Sequence, residues 1–244
     1  MRNPAGTGRL AGVLLEEVRV LVVAGVASGA VVIGIGSRLA MLLLRLTSAS
    51  SVRGVKSDDG FTIGRFTLAG TYNLLLIGAA AGVIGAGAYR LVARWLIGPS
   101  WFRRLTTGLS AGAVAGAMLV HSDGIDFTVL KPTWLAIGLF VALPVMFGVV
   151  VGIVVDAVRS PGSWTAQGKR RWLLPIAGIA CFPLVIIVLA FAVIAIAALG
   201  LAGQLPAVRK LRTTAGYGLA LRAGWLSIAL AGLVALIGDI DSLV

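Results

Sequence analysis

Residues 133–155 read TWLAIGLFVALPVMFGVVVGIVV, a run with no charged side chain. The hydrocarbon core of a bilayer takes a helix of about 20 mainly apolar residues, so this run is long enough to cross it. Similar stretches with almost no charge lie elsewhere in the chain, at 20–37, 71–89, 105–120, 172–203 and 223–238. The chain is therefore predicted to be all-α, a polytopic bundle of transmembrane helices.

The composition excludes an ordinary soluble domain. Of the 244 residues, 59% are hydrophobic and 12% are charged, whereas a soluble domain has about 45–50% apolar and about 25% charged residues. The net charge of +12 would indicate nucleic-acid binding in a soluble protein. Here the basic residues lie in short loops beside apolar runs, which indicates topology signals and contact with anionic lipids instead.

The domain organisation follows from the apolar runs. Residues 1–17 are predicted to be a tail or interfacial segment, and residues 18–240 a single transmembrane domain. The first apolar run is longer than that of a cleaved signal peptide, so we expect it to be retained. We predict about six spans, at approximately 18–45, 68–94, 105–121, 132–156, 172–203 and 219–239.

The distribution of Lys and Arg predicts the orientation. The N-terminus, the 95–104 turn and the 157–171 loop carry most of the positive charge, which places the N-terminus in the cytoplasm. The basic segment 204–218 would then fall outside. Either it is an interfacial stretch on the outer face, or the 172–203 run is re-entrant and returns the chain to the inner face. We favour one long helix there, tilted or broken.

Two polar loops on the predicted outer face resemble each other. Each has an Asp-Gly pair, Asp59-Gly60 and Asp123-Gly124, followed by aromatic and aliphatic residues. Such pairs are typical of tight turns, so we expect short turns or hairpins over the helix ends. The pairs are 64 residues apart, which fits either a duplicated two-helix unit or coincidence.

Small residues recur at helical spacing along several of the runs. Missing side chains let helix backbones approach closely, and this drives helix association in lipid. The pattern predicts packing within the bundle, with one face as a possible surface for a partner. The glycines concerned are Gly25, Gly29, Gly78, Gly82, Gly108, Gly112, Gly116, Gly148 and Gly152.

Few polar residues are candidates for a functional site. Arg38 follows the first apolar core and either lies within the hydrocarbon or extends its guanidinium to the headgroups. Asn73 is a polar residue in the second predicted span. His121 and Asp123 lie in one loop, where a metal or proton site is weighed against a plain turn. We expect no catalytic residue, metal or cofactor site.

A family resemblance is carried by the segments SDDGFTIGRFTLAGT and DGIDFTVLKPTWLAIGLFVALP. They resemble uncharacterised multi-spanning membrane proteins of actinobacteria, from the first span through the fourth. The resemblance implies a bacterial plasma-membrane location and no particular activity. The excess of arginine over lysine, with abundant Ala, Val and Gly, is also typical of a G+C-rich bacterial genome.

We therefore expect a non-enzymatic accessory or scaffold subunit of an assembly in the bacterial inner membrane. Its expected partners are anionic lipids at the basic loops and a homo- or hetero-oligomeric membrane protein, and not nucleic acid. A small transporter or channel is the alternative, and a membrane enzyme acting on lipid is the second alternative.

Overall fold

The chain forms a helical bundle. The structure, a computed structural model, describes residues 4–48, 67–121, 124, 127, 130–202, 205–206, 209–210 and 213–243. The helices are α1 (Pro4–Ser28), α2 (Gly36–Thr47), α3 (Leu68–Ala93), α4 (Ser100–Leu119), α5 (Thr133–Arg159), α6 (Arg170–Cys181), α7 (Leu184–Ala202) and α8 (Ala215–Leu243).

The first helix is continuous from Pro4 to Thr47, because a π-helical segment, Gly29–Ile35, joins α1 to α2. It therefore passes without a break through residues 17 and 18, where the predicted tail meets the first predicted span. The π segment lies against α3, where a methyl built on Gly34 would meet the backbone of Leu75 at 3.0 Å. Such wider helical turns often mark functional positions.

Glycines bring α1 and the π segment into backbone contact with α3. Gly25 and Gly29 face Gly78 and Gly82. A methyl on Gly25 would lie 2.5 Å from the Cα of Val83, closer than real Cβ atoms come. Close approach of this kind gives helices dispersion contacts where lipid supplies no hydrophobic force. We name this contact the α1–α3 glycine seam.

A second glycine contact closes α4 onto α5. A methyl on Gly148 would lie 2.7 Å from the Cα of Gly108, and one on Gly152 would press on the Tyr89 ring. The other face of α4 receives α8, where Gly232 lies against Ala113 and Val114. α4 is thus packed between α5 and α8.

Among the described residues the candidate spans number four or five, against the six predicted. Four stretches are long and apolar enough to cross a bilayer, and a bent pair of helices makes a possible fifth. The predicted span at 105–121 corresponds to α4, whose Gly, Ser, Thr and Arg residues keep it less apolar than the others. The four clear candidates are Gly12–Thr47, Leu68–Ala93, Thr133–Arg159 and Gly216–Leu243.

The predicted span 172–203 is broken into α6 and α7, which are bent by 119° at Phe182 and Pro183. α6 enters beside α1, with Gly178 against Val22, and α7 packs on α3. The Tyr72 hydroxyl donates to the Cys181 carbonyl at 2.9 Å and so satisfies a carbonyl left free at the helix end. We name α6 and α7 the bent hairpin.

α6 and α8 both begin at the same end of the bundle. Arg171 at the start of α6 lies 3.7 Å from Glu16 of α1. After the hairpin, the Tyr217 ring contacts the Trp95 ring at 5.5 Å, and Arg222 donates to the Trp95 carbonyl at 2.8 Å. Trp95 is the second residue after α3, so α8 begins where α3 ends. We call this the basic end of the bundle.

Within the described residues the apolar interior consists of two clusters. The larger lies among α1, α3, α5 and α7 and includes Val20, Val83, Val155 and Val185. The smaller lies at the opposite end, where Leu44, Val120, Phe127, Ile137 and Leu236 meet. Phe127 comes from the second Asp-Gly loop, and its ring is buried against Phe140. The first Asp-Gly loop and Asp123 lie outside the described residues.

Substituting Gly82 with Ala tests the α1–α3 glycine seam. The new methyl would lie 2.8 Å from the Gly29 Cα and closer still to the Gly25 carbonyl oxygen. We expect a loss of about 1–3 kcal/mol, the usual cost of overpacking, measured by reversible unfolding in mixed micelles. Gly138→Ala is the matched control, because nothing lies within 4 Å of its added methyl. Equal stability of the two variants would contradict the conclusion that backbone contact at the α1–α3 glycine seam stabilises the bundle.

Cysteine labelling tests the path of the bent hairpin. In a Cys181→Ser background, Ser100→Cys and Thr213→Cys are expected to react with an impermeant maleimide from one side of the membrane. Ser242→Cys, at the far end of α8, is expected to react from the other side. If Thr213→Cys instead reacts from the side opposite to Ser100→Cys, and Ser242→Cys from the same side as Ser100→Cys, α6 and α7 cross as one span.

Candidate functional site

Charged side chains from α1, α3, α4 and α5 meet at the basic end. α1 carries Glu16, Glu17 and Arg19 within one turn, where Glu16 and Arg19, three residues apart, share one face and Glu17 projects from another. Glu17 faces α3, where the Arg90 Nη2 donates to its Oε1 at 2.5 Å. Both side chains are mostly buried, with 14% of Arg90 and 22% of Glu17 exposed. This pair joins the two helices of the glycine seam.

Arg19 is the most deeply buried charge among those described, with 3% of its side chain exposed. Its Nε and Nη2 donate to the two carboxylate oxygens of Glu16, at 3.1 and 2.5 Å. Its Nη1 donates to the Thr165 Oγ1 at 2.7 Å, and its Nη2 also donates to the Val158 carbonyl at 3.2 Å. Arg19 therefore ties α1 to the end of α5 and to the 3-10 turn Trp164–Ala166.

A third ion pair joins α4 to α5. The Arg104 Nε and Nη2 donate to the Asp156 Oδ2 at 3.0 and 2.8 Å. The Tyr89 hydroxyl of α3 donates to the same oxygen at 3.2 Å. One carboxylate oxygen thus accepts from two helices and holds three together.

Two further arginines donate hydrogen bonds to backbone carbonyls at the end of α3 and just after it. Arg103 donates to the Ala93 carbonyl at 3.5 Å, and Arg222 donates to the Trp95 carbonyl at 2.8 Å. Cations at a helix C-terminus interact favourably with the helix dipole. These contacts attach the start of α4 and the first turns of α8 to the same point.

We name the pairs Arg19–Glu16, Arg90–Glu17 and Arg104–Asp156 the ion-pair cluster. This cluster is suited to holding helices together. Charge-assisted hydrogen bonds to guanidinium stabilise the ionised form of a carboxylate and occupy the oxygens that a general base would use. Its three carboxylates, Glu16, Glu17 and Asp156, all accept such bonds. Within the described residues, no group of three or more His, Cys, Asp or Glu side chains could hold a metal ion.

The residues singled out from the sequence lie elsewhere. Arg38 is half-buried on α2, Asn73 is exposed in the second turn of α3, and His121 is exposed just after α4. Asp123 lies outside the described residues. The ion-pair cluster is not predicted from the sequence, because charged residues at the ends of apolar runs are interpreted as topology signals and contacts with lipid headgroups. The one available signal was the Glu-Glu-Val-Arg sequence that directly precedes the first apolar run.

Comparison of the chain with protein-family models, with curated proteins and with solved structures gives no match.

Replacing Glu17 with Gln tests whether the ion pairs hold the bundle. The change leaves the Arg90 guanidinium, already mostly buried, without its counter-charge. We expect a loss of about 3 kcal/mol in the free energy of unfolding, since removing one partner of a buried pair leaves an uncompensated charge. The double variant Glu17→Gln/Arg90→Gln is expected to recover part of it. The exposed Asp241→Asn is the control, and an equal effect of the control would contradict the role of the pair.

Proposed function

We propose that the protein is a non-enzymatic scaffold or accessory subunit of a membrane assembly. The observation that carries the proposal is the α1–α3 glycine seam, where backbones touch and leave no space for a path between the helices. The ion-pair cluster supports it, since its charged groups serve contacts between helices. A bundle fixed in this way presents constant outer surfaces to a neighbour in the membrane.

The proposal includes a topology of five crossings. These are the first continuous helix, α3, α4, α5 and α8, with the bent hairpin re-entrant from the basic end. α4 is included because it packs against both α5 and α8, with Gly108, Gly112 and Gly116 along its length facing α5. The basic end then faces the cytoplasm, and the positive charges of the 95–104 turn and of Arg209 and Lys210 share that side.

The proposed location is the plasma membrane of a bacterium. The arginine-rich composition supports this location. We also propose that the chain is related to multi-spanning actinobacterial membrane proteins, and this relationship would imply the same location. An assembly partner would contact the protein through lipid-facing helices. α8 is the least covered candidate span, with 6% of its most apolar window buried.

A small transporter is the second candidate, and the bent hairpin favours it. Broken helices that line a site are recurrent in transporters, where ends of half-helices face the substrate. Here the Cys181 carbonyl at the end of α6 is already engaged by Tyr72. Transport would require this contact to open.

Gentle extraction at native expression level tests the proposal. The full chain, tagged at its C-terminus, is purified in a mild detergent and analysed by quantitative mass spectrometry. A protein partner at fixed stoichiometry, retained after size exclusion, is the expected result. An unrelated multi-pass protein of similar abundance, tagged in the same way, is the control. A chain that purifies alone would contradict the scaffold proposal.

Flux measurements address the second candidate. Proteoliposomes of the purified chain are compared with those of a Tyr72→Phe variant, which removes the hydroxyl that holds the Cys181 carbonyl. A difference in ion or solute flux between the wild type and Tyr72→Phe would favour transport. Equal flux at the level of empty liposomes would favour the scaffold.

A further inference from the structure

An open recess of about 380 Å³ lies at the basic end, in the connection between α7 and α8. Its lining residues are Pro206, Arg209, Lys210 and Thr213, and all four are exposed. Among the described residues of the connection, the Arg209 amide donates to the Leu205 carbonyl at 2.9 Å. The Thr213 hydroxyl donates to the Lys210 carbonyl at 2.7 Å. We name it the basic recess.

The positive charge of the basic recess is not neutralised by the protein within the described residues. No described carboxylate forms a salt bridge with Arg209 or Lys210. In contrast, Arg19, Arg90 and Arg104 at the same end each have a carboxylate partner. Within the part of the chain that the structure describes, the two adjacent cations around this open volume therefore have no counter-charge, and an anion would supply it.

The position of the basic recess favours an anion at the membrane surface. α8 begins two residues after Thr213 and is apolar along most of its length. Its first turns are fixed to the end of α3 by the Tyr217–Trp95 and Arg222–Trp95 contacts. The recess thus lies at the level where a spanning helix leaves the hydrocarbon. The N-terminus of α8 adds the positive end of a helix dipole close by.

We propose that the basic recess binds a phosphate group at the membrane surface. Arg209 offers a planar guanidinium that matches phosphate oxygens in a bidentate way, and Lys210 adds a compact charge. The phosphate belongs either to an anionic lipid headgroup or to a soluble phosphate, because both present the same oxygens. Basic pockets beside transmembrane helices bind such headgroups. The proposal is independent of the scaffold function.

Lipid binding to the full-length protein tests the proposal. Native mass spectrometry measures the binding of short-chain phosphatidylglycerol to the wild type and to Arg209→Gln/Lys210→Gln. The variant is expected to bind about thirtyfold more weakly, the effect of two basic residues near an anionic group. Lys169→Gln/Arg170→Gln is the matched control, because it removes two adjacent exposed cations at the same end. Arg209→Lys keeps the charge and is expected to keep most of the binding.

The outcomes are separated by a second probe, inorganic phosphate, titrated against the same proteins in the same detergent. Weakened phosphatidylglycerol binding in the recess variant alone, without phosphate binding, supports the lipid headgroup. Phosphate binding that the recess variant abolishes supports a soluble anion. An equal loss in the recess variant and the matched control would mean diffuse attraction and overturn the proposal. Unchanged binding in the recess variant would also overturn it.

Discussion

Where Gly25 and Gly29 meet Gly78 and Gly82, two helices touch through their backbones with no side chain between them. In lipid, apolar side chains gain little from leaving the solvent, so association depends on close packing and on polar contacts. The seam supplies close packing over about one turn of each helix. It also sets the distance between α1 and α3 farther along, where Glu17 of α1 reaches Arg90 of α3.

The ion-pair cluster adds polar contacts at the basic end of the bundle. An isolated charge within hydrocarbon is costly, and pairing with full hydrogen bonding offsets much of that cost. Arg19 is the clearest example of a buried charge that is paired and hydrogen-bonded. It is nearly inaccessible and donates to a carboxylate, a hydroxyl and a carbonyl. Tight packing between the helices and paired charge at their ends thus act on the same four helices.

Hydropathy alone predicts an all-helical membrane protein, since long apolar runs are local features. The bends are harder to predict from the sequence, because a proline in an apolar run can either remain inside a helix or end it. Pro144 and Pro175 lie inside α5 and α6, whereas the chain turns sharply at Pro183. The ion pairs were beyond sequence reasoning: their partners are 73 residues apart in Glu17–Arg90 and 52 apart in Arg104–Asp156. Nothing in a single sequence matches such partners.

The two antiparallel pairs, α1 with α3 and α4 with α5, are built alike. Each has its own glycine contact and its own ion pair at the basic end. The order of charge is reversed: the acid comes first in the chain in one pair, and the arginine first in the other. Each pair can therefore neutralise its own charges as it leaves the translocon, before any later helix is synthesised. Insertion of each pair as a hairpin would bring Arg90 and Arg104 into the membrane together with their carboxylates.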